Sequence, residues 1–283
     1  MSDEEAVKAR ARFEQQVIDE APRLKREDSF AFGCHPGVAC FGDCCGDVNI
    51  VLTPYDVLRL KNRLGMSSEE FLEQHTILPF SKEQRLPAPL IRMGENDQKS
   101  CPFLNLDAGG CTVYEDRPWA CRMYPLGYAK PGEAQAGEEA FWFLMEEKGC
   151  VGFQEKTTQT VGEWITGQGI EDYDEWGEKY RQLAVDDYLS KESELNPQQM
   201  QMFFMGTYEL DSFRRFVFES SFLDRFAVSE DEQVRLKDDD EALMEFAFRF
   251  LRFSLFGKPT MTIQDATIQD ATINGSAVPE RTK

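Results

Sequence analysis

The spacing of hydrophobic positions predicts helices in the first third of the chain. Apolar residues recur near helical spacing over 4–27, which predicts an amphipathic helix broken by a proline near its end. Thr53 has the character of an N-cap and Gly65 that of a C-terminal stop, so a helix is expected over 54–64. A second capping signal predicts another helix over 69–75.

The segments between these helices and residue 125 favour short extended elements. The apolar run 48–52 is typical of a buried strand. A turn at 107–110 between two short segments predicts a hairpin, with Cys101 and Cys111 facing each other near its ends. The stretch 115–124 contains a proline that favours one or two helical turns.

The pattern changes at about residue 158. Cysteine disappears, and helical spacing dominates up to residue 256. The segment 243–256 is apolar on nearly every side, so it is expected to be buried, with a docking surface as the alternative. After it, a five-residue motif is given twice and begun a third time, too few copies to bury a core. Residues 258–283 are therefore predicted to be a disordered tail.

Charge and hydropathy exclude several classes of function. The chain has 31 basic and 51 acidic residues, a net charge of −20, which disfavours binding to nucleic acids and anionic lipids. No run of 18 apolar residues is present, so no membrane span is predicted. The charged N-terminus does not resemble a signal peptide, and a cytoplasmic location is expected.

Eight cysteines, all in the first 150 residues, carry the candidate chemistry. They are Cys34, Cys40, Cys44, Cys45, Cys101, Cys111, Cys121 and Cys150. Thiolates select zinc, copper(I) or iron–sulfur clusters. In a reducing cytoplasm such a set is expected to bind metal, and a disulfide framework is the alternative.

The cysteine spacing favours an iron–sulfur cluster over zinc. The first group has the spacing C-x5-C-x3-C-C, without the C-x2-C of a zinc ribbon. Either a turn brings the adjacent Cys44 and Cys45 to one metal, or they serve two different sites. Eight thiolates are enough for two four-thiolate sites, or for one closed site and one with a spare position. His35 lies inside the first group and is expected to be a bystander, with ligation as the alternative.

Two arginines flank one of the cysteines. Arg117 and Arg122 lie on either side of Cys121. Their guanidinium groups are predicted to offset the charge of a thiolate-bound metal or to bind an anionic cofactor. Surface ion pairs are the alternative interpretation in so acidic a chain.

Several segments together carry a resemblance to a known family. GVACFGDCC, LTPYDVLRL, CPFL, GCTVYEDRPWACRMYPLG and CVGF resemble the YkgJ-type cysteine-cluster family, a zinc- or iron-chelating domain, over about residues 30–155. The resemblance implies that all eight cysteines are metal ligands. One branch of the family resembles flagellin lysine N-methylase, which uses S-adenosylmethionine. This sequence shows no G-x-G-type cofactor loop.

The sequence therefore predicts an α+β, mostly helical protein, in which a small irregular cysteine-rich metal-binding domain with short strands precedes an α-helical region. The predicted segments are an N-terminal helix packing on the core (1–29), the cysteine-cluster domain (30–157), the helical region (158–257) and the tail (258–283). The helical region is expected to pack on the cysteine domain or on a protein partner.

The first functional hypothesis is a metal-binding protein that holds an iron–sulfur cluster or zinc through eight cysteines. The alternative is an S-adenosylmethionine-dependent protein lysine N-methyltransferase. An open coordination position beside Arg117 or Arg122 would favour the alternative, and eight ligating cysteines would favour the first hypothesis. Metal storage or delivery, with labile metal, is a third possibility.

Overall fold

A computed structural model describes residues 21–79, 86–129, 139–184 and 195–264. These residues divide into two compact units, each of which is discontinuous in sequence. Unit 1 takes the described residues within 1–52, 75–84 and 88–175, and unit 2 those within 53–74, 85–87 and 176–283. The predicted helix before residue 21 lies outside the described residues.

The helices begin and end close to the positions that local signals predict. In chain order they are α1 (Pro54–Leu64), α2 (Ser68–His75), α3 (Trp119–Met123), α4 (Val161–Gly167), α5 (Glu171–Arg181), α6 (Pro197–Thr207), α7 (Leu210–Glu219), α8 (Phe222–Arg225), α9 (Glu230–Asp238) and α10 (Asp240–Phe256). The capping box between Thr53 and Asp56 starts α1, and Gly65 in a left-handed conformation ends it. The predicted helices over 54–64 and 69–75 are confirmed.

Unit 1 contains short antiparallel strand pairs. Its strands are β1 (Ser29–Ala31), β2 (Thr76–Ile77), β3 (Leu90–Ile91), β4 (Leu104–Asn105), β5 (Gly110–Cys111), β6 (Leu126–Ala129), β7 (Phe141–Leu144) and β8 (Thr158–Thr160). β1 pairs with β8, β2 with β3, β4 with β5, and β6 with β7. The run 48–52 is extended but forms only a single bridge, from Val51 to Leu90, rather than the predicted strand.

The core of unit 1 joins the two ends of its sequence. Phe30 and Phe32, in and after β1, pack with Val161 and Ile165 of α4. Leu126 of β6 completes the centre of this cluster and is fully buried. The pairing of β1 with β8 places these side chains together, so the segment after residue 157 is part of the core of unit 1, against which Cys150 packs.

Unit 2 is a helical bundle around α10. The prediction that 243–256 is buried is confirmed, because ten residues of α10 are buried and all but Ala242 lie in this segment. Gly206 of α6 lies against Leu251, where an added Cβ would approach the leucine side chain to 2.9 Å. Phe213 of α7 contacts Phe250 of α10, with ring centroids 5.9 Å apart. The mostly helical α+β class is therefore confirmed.

A network of charges links three helices of unit 2. The ammonium of Lys61 lies 2.9 Å from Asp240 and 3.3 Å from Asp211, and its side chain is only 6% exposed. Arg214 also contacts both of these carboxylates. Mutual pairing allows these charges to be buried.

After α10 the chain stays attached to unit 2 up to the last described residue. Thr260 Oγ1 donates to the carbonyl of Arg249 (2.7 Å), and Ile263 bridges to Phe226. The rest of the predicted tail, 265–283, lies outside the described residues. Across the ranges that the structure describes, none of the helices combines the length and the apolarity needed to cross a bilayer.

Candidate metal centre

All eight cysteines lie in unit 1, and none is in a disulfide. Cys34, Cys44 and Cys121 are exposed, and the other five are half-buried. The thiols thus lie close to the surface of a unit whose core is apolar. The predicted site residues are brought into one compact part of the protein, although they come from segments more than 100 residues apart.

One backbone contact brings the first cysteine next to the last. The amide of Gly33 donates to the carbonyl of Gly152 (3.0 Å), so Cys34 and Cys150 lie on adjoining segments. The amide of Val151 donates to the Cys40 sulfur at 3.4 Å. A Cβ on Gly152 would lie 2.7 Å from the Gly33 carbonyl oxygen, so only glycine permits this approach.

A second backbone contact joins the first cysteine group to the hairpin. The amide of Cys101 donates to the carbonyl of Cys45 (2.6 Å), and Gly46 bridges to Ser100. A Cβ on Gly46 would lie 2.5 Å from the carbonyl oxygen of Gln98. Glycine is again required because the obstacle is backbone and cannot rotate away.

The predicted hairpin is present, but its register differs from the expectation. Leu104, not Cys101, is the cross-strand partner of Cys111. Cys101 lies in the turn before β4, where its carbonyl accepts from the amide of Leu104 (3.0 Å). The two thiols still lie within electrostatic range, since Cys111 contributes to a raised pKa of Cys101, after burial as the larger cause.

The thiol of Cys34 is influenced by three other cysteines. Burial, followed by the negative charge of Cys44, Cys40 and Cys150, raises the pKa of Cys34 to about 11. Clustered thiols resist deprotonation in this way unless a cation compensates them. Such a cluster is therefore suited to a bound metal ion.

The adjacent Cys44 and Cys45 share one proton. They occupy a short 3-10 helix, Asp43–Cys45, which follows Gly42 in a left-handed conformation. A hydrogen bond from the Cys45 thiol lowers the pKa of Cys44 to about 6. The same hydrogen bond, together with burial, raises the pKa of Cys45 well above its ordinary value, so Cys44 is the thiolate of the pair.

A buried tyrosine hydroxyl lies beside the thiols. Tyr124 Oη is buried and has no well-formed hydrogen bond among the described residues. Burial raises the pKa of Tyr124, and the neighbouring Cys150 and Cys44 thiols raise it further. A metal-bound thiolate is a hydrogen-bond acceptor, so the position of this hydroxyl fits a thiolate centre.

The two arginines are buried and differ in the groups that they contact. Arg122 donates to the carbonyls of Arg117 (2.9 Å), Gln168 (2.6 Å) and Glu115 and packs over the ring of Tyr173. Four of its five N–H groups are engaged, since the Tyr173 hydroxyl accepts a fourth at 3.2 Å. These contacts tie α3 to Gln168 and to the first turn of α5.

The guanidinium of Arg117 lies within electrostatic range of two cysteines. It packs over Tyr114 at 3.8 Å and donates to the carbonyl of that residue (2.5 Å). Burial lowers the pKa of Arg117, while Tyr114 and the thiols of Cys121 and Cys111 oppose that effect. Its charge can therefore compensate thiolates at these two positions. The assignment of both arginines to a cofactor stays a prediction.

His35 is engaged by its own surroundings. Its Nδ1 accepts from the amide of Gly37 (3.1 Å), and its Nε2 lies 3.6 Å from Glu155. Both ring nitrogens therefore have neighbours other than sulfur. This arrangement is the one expected of a bystander.

The chemistry of the donors fits a soft metal, whereas their spacing does not yet enclose one. Among the described residues, no three His, Cys, Asp or Glu side chains are arranged to hold a metal ion as they stand. The thiols nevertheless lie within electrostatic range of one another in one unit. Zinc, iron or an iron–sulfur cluster would thus require side chains to draw inwards.

Comparison with known families gives the same segment a description. Residues 33–151 match the CxxCxxCC family, described as a "putative zinc- or iron-chelating domain". The resemblance to a cysteine-cluster family is therefore confirmed, and the CxxCxxCC domain contains all eight cysteines. No solved structure matches the chain.

Sequence reasoning did not find two groups around the thiols. The hydroxyl of Tyr124 lies beside Cys150, which is 26 positions further along the chain, so no local motif indicates the contact. The Val151 amide acts through the backbone, and its side chain carries no signal. The interleaved glycines of the first group were the available sign that the backbone folds tightly here.

Proposed function

We propose that the CxxCxxCC domain is a metal-chelating centre in which all eight cysteines are ligands. The observation that carries this proposal is the convergence of the thiols: segments 34–45, 101–121 and 150 meet in unit 1 through two backbone contacts that require glycine. Thiol groups collected in this way oppose ionisation at Cys34, because Cys44, Cys40 and Cys150 each raise its pKa. A bound cation would reverse that repulsion.

The family description names zinc and iron, and of these we propose iron, bound as an iron–sulfur cluster. The Val151 amide donates to the Cys40 sulfur, and the Arg117 guanidinium lies near Cys111 and Cys121. Amide and cationic donors around sulfur tune the potential of such clusters. The absence of C-x2-C spacing in the first cysteine group adds to this preference.

When bound, a cluster would take up and release electrons, whereas zinc would hold the surrounding loops without redox chemistry. The surrounding residues would make the same contacts with either an iron–sulfur cluster or zinc. Tyr124 can donate a hydrogen bond to a thiolate, Arg117 compensates charge, and the apolar core of α4 and β6 supports the loops from below.

The test is metal analysis of the full-length protein purified without oxygen. The expected result is broad visible absorbance together with iron and acid-labile sulfide, and loss of both on treatment with a chelator and oxidant. A colourless protein that contains zinc would reject the cluster and retain metal chelation. A protein that holds no metal as purified, and none after incubation with zinc chloride or with ferrous iron and sulfide, would refute the proposal.

A further inference from the structure

We infer that the eight cysteines form two separate metal centres of four ligands each. Set A consists of Cys34, Cys40, Cys44 and Cys150, and set B of Cys45, Cys101, Cys111 and Cys121. This inference rests on the proposed metal chelation and divides its ligands. In this division the adjacent residues Cys44 and Cys45 bind different metal centres.

Set A is assembled by the contact between the first cysteine segment and the segment that ends the family match. The amide-to-carbonyl bond from Gly33 to Gly152 aligns the chain just before Cys34 with the chain just after Cys150. The bond from the Val151 amide to the Cys40 sulfur fixes a third member of the set. None of these contacts involves the hairpin of β4 and β5.

Set B is assembled around that hairpin. The bond from the Cys101 amide to the Cys45 carbonyl places the end of the 3-10 helix against the start of the hairpin. Cys111 lies in β5, the returning strand of the hairpin. The last member is Cys121 of α3, and the guanidinium of Arg117 lies within electrostatic range of both Cys121 and Cys111.

The dipeptide can supply both sets because of its local conformation. Three residues complete a turn of 3-10 helix, so consecutive side chains leave the axis about 120° apart. Cys44 has Cys34 and the Tyr124 hydroxyl as neighbours. Cys45 has Cys101 and Cys121 instead. The two thiols also contact each other, so the centres would be immediate neighbours.

The experiment compares cysteine-to-serine variants of the full-length protein within one set and across the two sets. The single variants are Cys34→Ser and Cys121→Ser, both at exposed positions. The within-set double variant is C34S/C40S, and the across-set double variant is C34S/C121S. Each protein is stripped, incubated with zinc chloride without oxygen, desalted and analysed for metal per chain, with far-UV circular dichroism as the check on folding.

The wild type is expected to hold two equivalents of zinc. Each single variant should hold about half as much zinc. C34S/C40S should also hold about half, because both substitutions fall in set A and leave set B intact. C34S/C121S should hold almost none. Equal zinc contents in the two double variants would overturn the division, as would a wild type with one equivalent that C34S abolishes. A wild type with no zinc, and no iron after reconstitution, refutes the proposed function instead.

A second measurement on the wild type keeps the division testable if a variant fails to fold. Zinc is removed in steps with a chelator, exposed thiols are alkylated, and the modified cysteines are located by mass spectrometry. The expected intermediate has the four cysteines of one set modified and the four of the other protected. Modification that mixes the two sets, or exposes all eight cysteines together, would contradict the inference.

Discussion

Two glycines hold the cysteine segments together at the scale of single residues. Gly46 and Gly152 each face a backbone carbonyl of another segment, at distances that exclude a Cβ. The interleaved glycines of the first cysteine group predict tight turning, and Gly46 belongs to that group. Gly152 carried no such signal, because the Gly33 carbonyl that it faces belongs to a distant part of the chain. Local spacing cannot reveal a contact of that kind.

Substitution of Gly46 by alanine should separate the hairpin from the 3-10 helix. The added methyl would meet the Gln98 carbonyl, and the clash is expected to lower the free energy of unfolding by about 1–3 kcal/mol. Urea denaturation measures this change, and zinc content should fall at the same time. Gly167→Ala is the control, because an added Cβ there meets nothing within 4 Å. If Gly46→Ala and Gly167→Ala changed the free energy of unfolding and the zinc content equally, Gly46 would not be needed for the contact between the hairpin and the 3-10 helix.

The cysteines themselves were predictable from sequence, but their surroundings were not. The number of thiols and their clustering indicate a metal site without any knowledge of the fold. Arg117 and Arg122 were equally visible as charges, yet their burial and their contacts with carbonyls depend on Gln168 and Tyr173. Such contacts arise only when α3 packs against Gln168 and the start of α5.

At the scale of elements, local capping signals were the most informative part of the sequence. The bounds of α1 follow from Thr53 and Gly65, which act within one turn of their own positions. α9 was missed because it buries one side chain, Leu236, and so shows no apolar stripe. The pairing of β1 with β8 was missed because strands so far apart in sequence carry no shared pattern.

The charge network of unit 2 makes a prediction about pH. Burial alone would raise the pKa of Asp240, but hydrogen bonds from Lys61, Arg214 and Asn62 outweigh it and lower the pKa to about 2. The folded state therefore gains stability from this carboxylate above its unfolded pKa of 3.8, and loses it as pH falls from there through 2. Acid unfolding of unit 2 should accordingly steepen between these values.

Asp240→Asn removes this contribution and is expected to lower the free energy of unfolding at pH 7 by about 1–3 kcal/mol. The difference from wild type should shrink as the pH approaches 2. Chemical denaturation at pH 7, 4 and 2.5 measures it. Asp238→Asn, an exposed aspartate two positions earlier, is the control and should change little. A constant difference at all three pH values would contradict the assignment.

At the scale of the whole molecule, composition predicts two kinds of architecture but not where the chain divides. The loss of cysteine at residue 158 suggests a boundary, yet unit 1 continues to residue 175 and α1 belongs to unit 2. The reason is burial, because Val161 and Ile165 are part of the core of unit 1, against which Cys150 packs. Amino-acid composition along the chain cannot reveal a core contact between segments that are distant in sequence.

Ile165→Ala should destabilise unit 1 although the residue belongs to the segment predicted as a separate helical region. The side chain is 1% exposed, so its truncation is expected to cost about 2–4 kcal/mol. Native-state hydrogen exchange of the β1 and β8 amides reports this loss. Ile77→Ala, at a position 47% exposed in the same unit, is the matched control. Unchanged exchange in β1 would place Ile165 outside the core of unit 1.

The interleaving of the two units sets an order of events during synthesis. Cys44 leaves the ribosome about 100 residues before Cys150, an interval of roughly 5–20 s at usual elongation rates. During that interval the early thiols of set A lack their last member. If set A binds metal as inferred, it can close only after most of unit 1 has been translated, and a nascent chain stalled before that point would carry open, reactive sulfur.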